Sequence, residues 1–248
     1  MNADILRGAL ERTQSRFPNF ITQRQELRIE QLLKANQNQY QFQLKQGNNT
    51  SDGPVNILLN DEDAFVIVGT ALYVKKQNTT AVPNQYANSQ PFSYPDPQVF
   101  TGAPAGQPKE YEALLTIWNG TLAFNTGSLQ RIKPMDTLSH LYVPPAQVIP
   151  SDDGTLLTLV NPTLAEFNGP NQDYFAYVEH QPTLLLDGKQ NNVFTLNLGS
   201  GSLTGIDGSY AADGDQDAVP RNVVGLRILG ILIHNGAAEA KRFAGTWV

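Results

Sequence analysis

Apolar residues along the first part of the chain recur with a helical period. In "ADILRGALERTQSRF" (residues 3–17), Leu6, Leu10, Thr13 and Phe17 are spaced four, three and four apart, which puts them on one helical face. Pro18 ends the pattern. A helix of about four turns is marginal alone in water, so its apolar stripe needs a surface to lie against. That surface is either the chain's own domain or, for a docking arm, a neighbouring subunit or a membrane face.

Beyond Asn19 the period changes to two. "QYQFQLK" at 39–45 alternates Gln with Tyr40, Phe42 and Leu44, as in a strand with one buried face. "AFVIVGTALYVKK" at 64–76 is apolar at both parities, which predicts a strand covered on both faces with a bulge or bend at Gly69. Similar patterns predict strands at 27–33, 55–59, 111–118, 121–126, 138–143, 155–160, 174–179, 183–187, 192–198 and 223–234. Asn119-Gly120 within "EALLTIWNGTLAFN" predicts a type I′ turn closing a hairpin over 112–126.

Two segments interrupt this grammar. Residues 77–109 are broken by repeated prolines yet carry Tyr86, Phe92, Tyr94 and Phe100, so a long loop pinned against a surface is expected. Residues 199–222 are rich in Gly and Asp and predict a second long loop. Many short strands with Gly, Pro and Asn turns define an all-β chain. The expected organisation is an N-terminal helical arm over 1–24 followed by β structure over 25–248.

Composition narrows the function classes. The chain has 248 residues, 40% hydrophobic and 16% charged, with a net charge of −6, which gives no general electrostatic grip on nucleic acid. Arg7, Arg12, Arg16, Arg24, Arg28 and Lys34 nevertheless leave the first segment mildly basic. Cysteine is absent, so disulfides and thiolate metal sites are excluded. No charged-then-apolar leader opens the sequence and no apolar run nears the ~20 residues that span a bilayer, so a soluble protein is expected.

Candidate chemistry is sparse. His140, His180 and His234 stand in unrelated contexts without a ligand partner at i+2, i+3 or i+4, and read as strand-end histidines. No nucleophile elbow, phosphate loop, zinc motif or dinucleotide fingerprint is present, and an enzyme is not expected. Asp213, Asp215 and Asp217 alternate in "DGDQD", a spacing that suits a calcium ion. Ala218 stands where an EF-hand has glycine and Val224 where it has its bidentate Glu, so a solvated acidic loop competes with the metal reading. A sugar-binding β-sandwich would stack Trp118, Tyr94 or Tyr111 on sugar rings. A glycosidase would use two of Glu110, Glu112, Glu166 and Glu179, but among 23 acidic residues some pair is always available.

The succession "NILLNDEDAFVIVGTALYVKK", a Pro-rich excursion, "YEALLTIWNGTLAFN", "IKPMDTLSHLYVPPAQ", "QPTLLLDGKQNNVFTLNL" and "VVGLRILGILI" resembles the jelly-roll capsid proteins of tailless icosahedral bacteriophages. The resemblance covers most of residues 25–234 and rests on strand grammar and an N-terminal arm rather than on one short motif. It implies an antiparallel jelly-roll β-sandwich, single or compactly double, that assembles in the host cytoplasm into a virion. Its implied partners are copies of itself, first as trimers and then as a shell, together with other virion proteins. The arm would face inward, toward an inner membrane or the genome. The competing reading is a carbohydrate-binding or adhesive sandwich such as a virion fibre or decoration protein.

Overall fold

A computed structural model describes residues 3–45, 57–78, 91–97, 99–100, 102, 109–143, 147–150, 157–160, 177–199, 205–208 and 220–243. Over these the protein is an all-β antiparallel sandwich. One four-stranded sheet runs in the order β1 (Thr22–Leu32), β10 (Pro220–Ile233), β3 (Ala64–Asn78), β8 (Val178–Asp187). The other runs β2 (Gln39–Gln43), β9 (Asn192–Asn197), β4 (Thr121–Thr126), β5 (Leu129–Asp136). The short strands β6 (Gln147–Pro150) and β7 (Leu157–Val160) pair with each other. Setting that pair aside, the eight remaining strands match first with last, second with seventh, third with sixth and fourth with fifth.

The two sheets enclose one apolar core. Leu27, Ile29, Phe65, Ile67, Leu72, Val74, Val224, Leu226 and Ile228 face Tyr40, Phe42, Leu122, Phe124, Phe194 and Leu196. The Phe124 and Phe194 rings meet at 4.4 Å between centroids, across the β4–β9 pair. Along β3 the inward parity switches from Phe65 and Ile67 to Leu72 and Val74, because Val68 is an extra residue opposite β10; on the other side it is β8 that carries the extra residues, 180–183 between the partners of Ile67 and Gly69. The register shift falls at Ile67/Gly69, next to the glycine that the sequence marks as a bulge. Among the described residues there is one two-sheet sandwich with one core, which leaves the compact double arrangement without a second barrel there.

The back of the first sheet is covered too, which is why β3 and β10 are apolar at both parities. Ala64, Val66, Ile231 and Ile233 point away from the core and receive Phe17, Leu6 and Leu10 of the N-terminal segment. Helix α1 (Ala3–Arg16) and the short helix α3 (Ala237–Ala240) with Phe243 complete this second layer, and the Phe17 ring meets Phe20 and Phe243 edge-on. The docking-arm expectation for the apolar stripe is therefore corrected. The stripe packs on its own sheet, where the exposed apolar row of β3 and β10 needs a cover.

The other half of that back face is polar and closed. Tyr73 lies flat over Gly225, where any Cβ would collide with the ring. Its hydroxyl donates to Glu30 Oε1 at 2.6 Å and accepts from Arg28 Nε at 2.8 Å. Lys75 Nζ holds Glu30 Oε2 at 2.7 Å, and Arg28 Nη2 closes on Oε1. Glu30 is completely buried. One buried carboxylate thus bridges two cations, Arg28 and Lys75, and removing it leaves both without their shared counter-charge. Burial and then the Glu30 carboxylate raise the Tyr73 phenol far above its ordinary range, so it stays a donor.

Four sequence expectations fail locally. Of the strand expected at 55–59, the described residues 57–59 hold only isolated bridges, Ile57 to Arg28 and Leu59 to Lys45. The expected strand 111–118 is helix α2 (Glu110–Leu114) followed by a 3-10 turn, Leu115–Ile117. Asn119-Gly120 does not close a hairpin: Gly120 is required because a Cβ would strike the Asn197 carbonyl, and neither residue has positive φ. The hairpin turn is at Gly127, φ 57°, between β4 and β5. Residues 138–143 are not a strand either. A 3-10 turn, Thr137–His140, starts on Asp136, whose side chain accepts from the Leu138 amide at 2.9 Å. The adjoining strand β5 escaped the pattern reading because it is a mostly exposed edge that carries Pro134, which only an edge tolerates.

Two outcomes are expected. Deleting residues 1–20 strips Leu6, Leu10 and Phe17 from the sheet. At roughly 1.5–3 kcal/mol per large side chain and about 2–4 °C per kcal/mol, the melting temperature should fall on the order of 10 °C in differential scanning calorimetry. An unchanged melting temperature would show that the helix adds nothing to the isolated subunit. Glu30→Ala leaves Arg28 and Lys75 without their counter-charge and should lower unfolding free energy by about 3–5 kcal/mol in urea titration. A loss below ~1 kcal/mol would mean that the cations reach water without it.

Candidate functional site

The three longest connections, 79–120, 137–177 and 198–219, start and finish at the same end of the sandwich. The register places Leu32 beside Val223 and Asn78 beside Pro220 in one sheet, and Gln39 and Thr121 beside Asn197 in the other. Connections 33–38, 79–120, 137–177 and 198–219 therefore share that end, whereas 44–63, 127–128 and 188–191 turn back at the opposite one. Backbone bonds tie the described parts together: Leu33 N to Asn222 O at 2.9 Å, Leu198 N to Asn38 O at 2.8 Å, and Tyr142 N to Ser93 O at 3.3 Å.

A buried polar cluster anchors these connections. Lys76, at the end of β3, points inward and reaches Glu110 Oε2 at 2.8 Å. Asn222, near the start of β10, donates through Nδ2 to Glu110 Oε1 at 2.6 Å and to the Ile206 carbonyl at 3.0 Å. The Gly102 amide adds a bond to Glu110 Oε2 at 3.3 Å, and the Lys76 ammonium sits 5.6 Å from the Phe100 ring centre. Glu110, the first residue of α2, thus joins both central strands to residues 102 and 206 of two separate connections. Sequence reading offered Glu110 as a glycosidase acid. Its carboxylate is instead held by an ammonium, an amide and a backbone N–H.

Phe92 and Phe100 of the proline-rich connection face inward as well. Phe92 pairs with Val74 as an isolated bridge and meets Phe100 edge-on at 5.9 Å and Tyr94 at 6.4 Å. Phe100 is fully buried. The Tyr94 hydroxyl donates to Asp96 Oδ2 at 3.0 Å, and burial together with that carboxylate raises its pKa well above the ordinary value. The expected pinning is met by the chain's own core, and Tyr86 lies outside the described residues. Among the described residues, the large apolar side chains exposed at this end are Leu115, 38% accessible, Leu138, 53%, Tyr142, 40%, and Val143, 60%. The turns carrying Leu115 and Leu138 are linked through Gly120, whose amide donates to Thr137 Oγ1 at 2.9 Å and whose carbonyl accepts from the Thr137 amide at 3.1 Å.

The remaining candidates do not converge. Trp118 is buried in the core, which removes it as a sugar-stacking platform. Tyr111 is partly accessible and donates to Glu112 Oε1 at 3.1 Å, while Glu112 Oε2 accepts from the Lys109 amide at the start of α2. Glu179 stands opposite Gly69 on β8, and Glu166 lies outside the described residues. The calcium candidates Asp213, Asp215 and Asp217 also lie outside the described residues. Among the described residues no three His, Asp or Glu side chains lie close enough to share a metal ion. Among them, too, no helix is long and apolar enough to cross a membrane.

Comparison of the chain with protein-family models, with curated proteins and with solved structures finds no match.

Of the histidines, His180 has the strongest environment. It is buried on β8 with Nε2 3.0 Å from Thr70 Oγ1, and desolvation lowers its pKa to about 4. A pKa below the unfolded value of about 6.5 means that the unfolded chain binds more protons between those two values. His180 therefore contributes fully above about pH 6.5, and this contribution is lost as pH falls toward 4. Chemical denaturation should show a loss of about 2 kcal/mol from this residue between about pH 7.5 and pH 5, flattened in His180→Gln. Equal slopes for the two proteins would contradict the buried neutral imidazole.

Proposed function

We propose that this chain is the jelly-roll shell protein of a tailless icosahedral bacteriophage and that it works by binding copies of itself. The observation that carries this reading is the strand order. Pairing of first with last, second with seventh, third with sixth and fourth with fifth is what results when one long antiparallel hairpin is rolled into two facing sheets, the arrangement of jelly rolls in viral shells. The long connections gathered at one end, with Leu115, Leu138, Tyr142 and Val143 exposed on them, supply an apolar surface suited to subunit contact. Trimers that pack into a closed particle are the expected assembly, with other virion proteins as further partners. The outward face of α1, where Arg7, Arg12 and Arg16 are exposed, is the surface assigned to an inner membrane or genome. The virion, assembled in the host cytoplasm, is then its site of action.

The test uses the full-length chain. Sedimentation velocity over a concentration series and negative-stain microscopy should reveal trimers, sheets or closed particles. Leu138→Asp combined with Val143→Asp should shift the distribution toward monomer with an unchanged melting temperature, because both side chains are already in water in the subunit. Monomer alone at every concentration, with no particles at any ionic strength, would overturn the reading.

A further inference from the structure

We propose that the side chains of Lys76 and Asn222 become joined by an amide bond, formed within the folded chain with Glu110 as the proton carrier. The two residues are direct cross-strand partners in the β3–β10 register, so their side chains rise from adjacent strands on the same face. Both are held on the two oxygens of one carboxylate: Lys76 Nζ on Oε2 at 2.8 Å and Asn222 Nδ2 on Oε1 at 2.6 Å. All three side chains are buried, Lys76 7%, Glu110 1% and Asn222 0% accessible, beside the Phe100 ring. The inference stands apart from the capsid reading, since it needs only this chain.

Each contact corresponds to a step. Transfer of a proton from the Lys76 ammonium to Glu110 leaves an amine with a lone pair and a neutral carboxyl group, the combination that a desolvated environment favours over separated charges. The Nζ lone pair adds to Cγ of Asn222, forming the new C–N bond. Glu110 gives its proton to the Asn222 amide nitrogen, where a leaving group needs it, and removes one from Nζ. The old Cγ–Nδ2 bond then breaks and ammonia departs, taking up the proton left on Glu110. Lysine ammonium and carboxamide become a secondary amide and ammonium, with no oxidant or reductant. Holding both reactants on one carboxylate supplies the proximity that makes such a slow reaction accessible within a folded chain. Ammonium lost to solvent makes it one-way.

Two further observations separate this cluster from an ordinary buried ion pair. Asn222 Oδ1 is buried with no hydrogen-bond partner among the described residues, an unfavourable ground state for an amide. The neighbouring pair, Lys75 with Glu30, is equally buried, but its carboxylate is shared with Tyr73 and Arg28, neither of which has a carbonyl carbon to attack. Of the two, the Lys76 cluster alone holds both reactants.

Intact-mass spectrometry of the full-length purified chain, denatured before measurement, should give the sequence mass less one ammonia. Digestion should yield a branched peptide joining the Lys76 and Asn222 segments. Asn119-Gly120, Asn168-Gly169 and Asn235-Gly236 can also lose ammonia by succinimide formation, so the linked peptide is the deciding signal. Lys76→Arg keeps a cation on Glu110 but lacks the primary amine, and should fold, keep its full mass and melt lower than the parent. Glu110→Gln should likewise keep full mass if it folds. A full sequence mass in the parent protein, ammonia loss mapped only to the Asn-Gly sites, or ammonia loss without a linked peptide would overturn the proposal. A linked peptide persisting in Glu110→Gln would remove Glu110 from the chemistry.

Discussion

The antiparallel pairing of β3 with β10, buried on both faces, is the constraint on which the rest of the structure depends. Inward residues of this pair form most of one wall of the core, and outward residues form the floor on which α1 and α3 rest. A strand wet on one side tolerates alternation. A strand dry on both sides must be apolar throughout or must satisfy each polar group locally. Tight backbone approach follows as well: a Cβ on Gly230 would strike the Val66 carbonyl and the Phe65 ring. Changing the register of this one pair would misplace the core, the helical cover and the polar clusters together.

Those polar clusters show how the strand pair ends. Lys75 and Lys76 are consecutive, so the two-residue period of a strand sends one to each face. Lys75 meets Glu30 on the back, and Lys76 meets Glu110 at the mouth of the core. Neither pair is a simple gain in stability, because removing charges from water offsets much of their attraction. Their effect is positional. Glu30 draws β1 and β3 together across β10, and Glu110 fastens α2 and two long connections to the sandwich. A carboxylate shared among several donors has few alternative arrangements, so each cluster selects one register and one loop path.

The resulting molecule has two unlike ends. Two short turns and the 44–63 connection close one, and the three longest connections start and finish at the other on an anchored base. Chemistry at that base is internal: the Glu110 carboxylate meets Lys76 and Asn222, and Phe92 and Phe100 of the Pro-rich connection pack into the chain's own core. Among the described residues, Leu115, Leu138, Tyr142 and Val143 are exposed there. Such a surface is suited to meeting another apolar surface, which is what the proposed self-association would use.

Local periodicity was legible from the sequence. The helix over 3–16, the alternating strand at 39–43, the strand at 64–76 dry on both faces and the bulge beside Gly69 follow from spacing alone, since side-chain direction is set by neighbours three or two residues away. The same reasoning erred where short apolar runs fit either period. Ala113, Leu114, Ile117 and Trp118 have helical spacing, but the adjacent Asn-Gly drew the segment into a hairpin. Tertiary structure alone decided that Trp118 lies in the core, that Gly120 is needed for a close approach to Asn197, and that the stripe of α1 rests on its own sheet. It also brought Asn222 onto Glu110, 112 positions away, and opposite Lys76. No pattern within β3 or β10 encodes that meeting, because register between distant strands is set by the burial of all their residues at once.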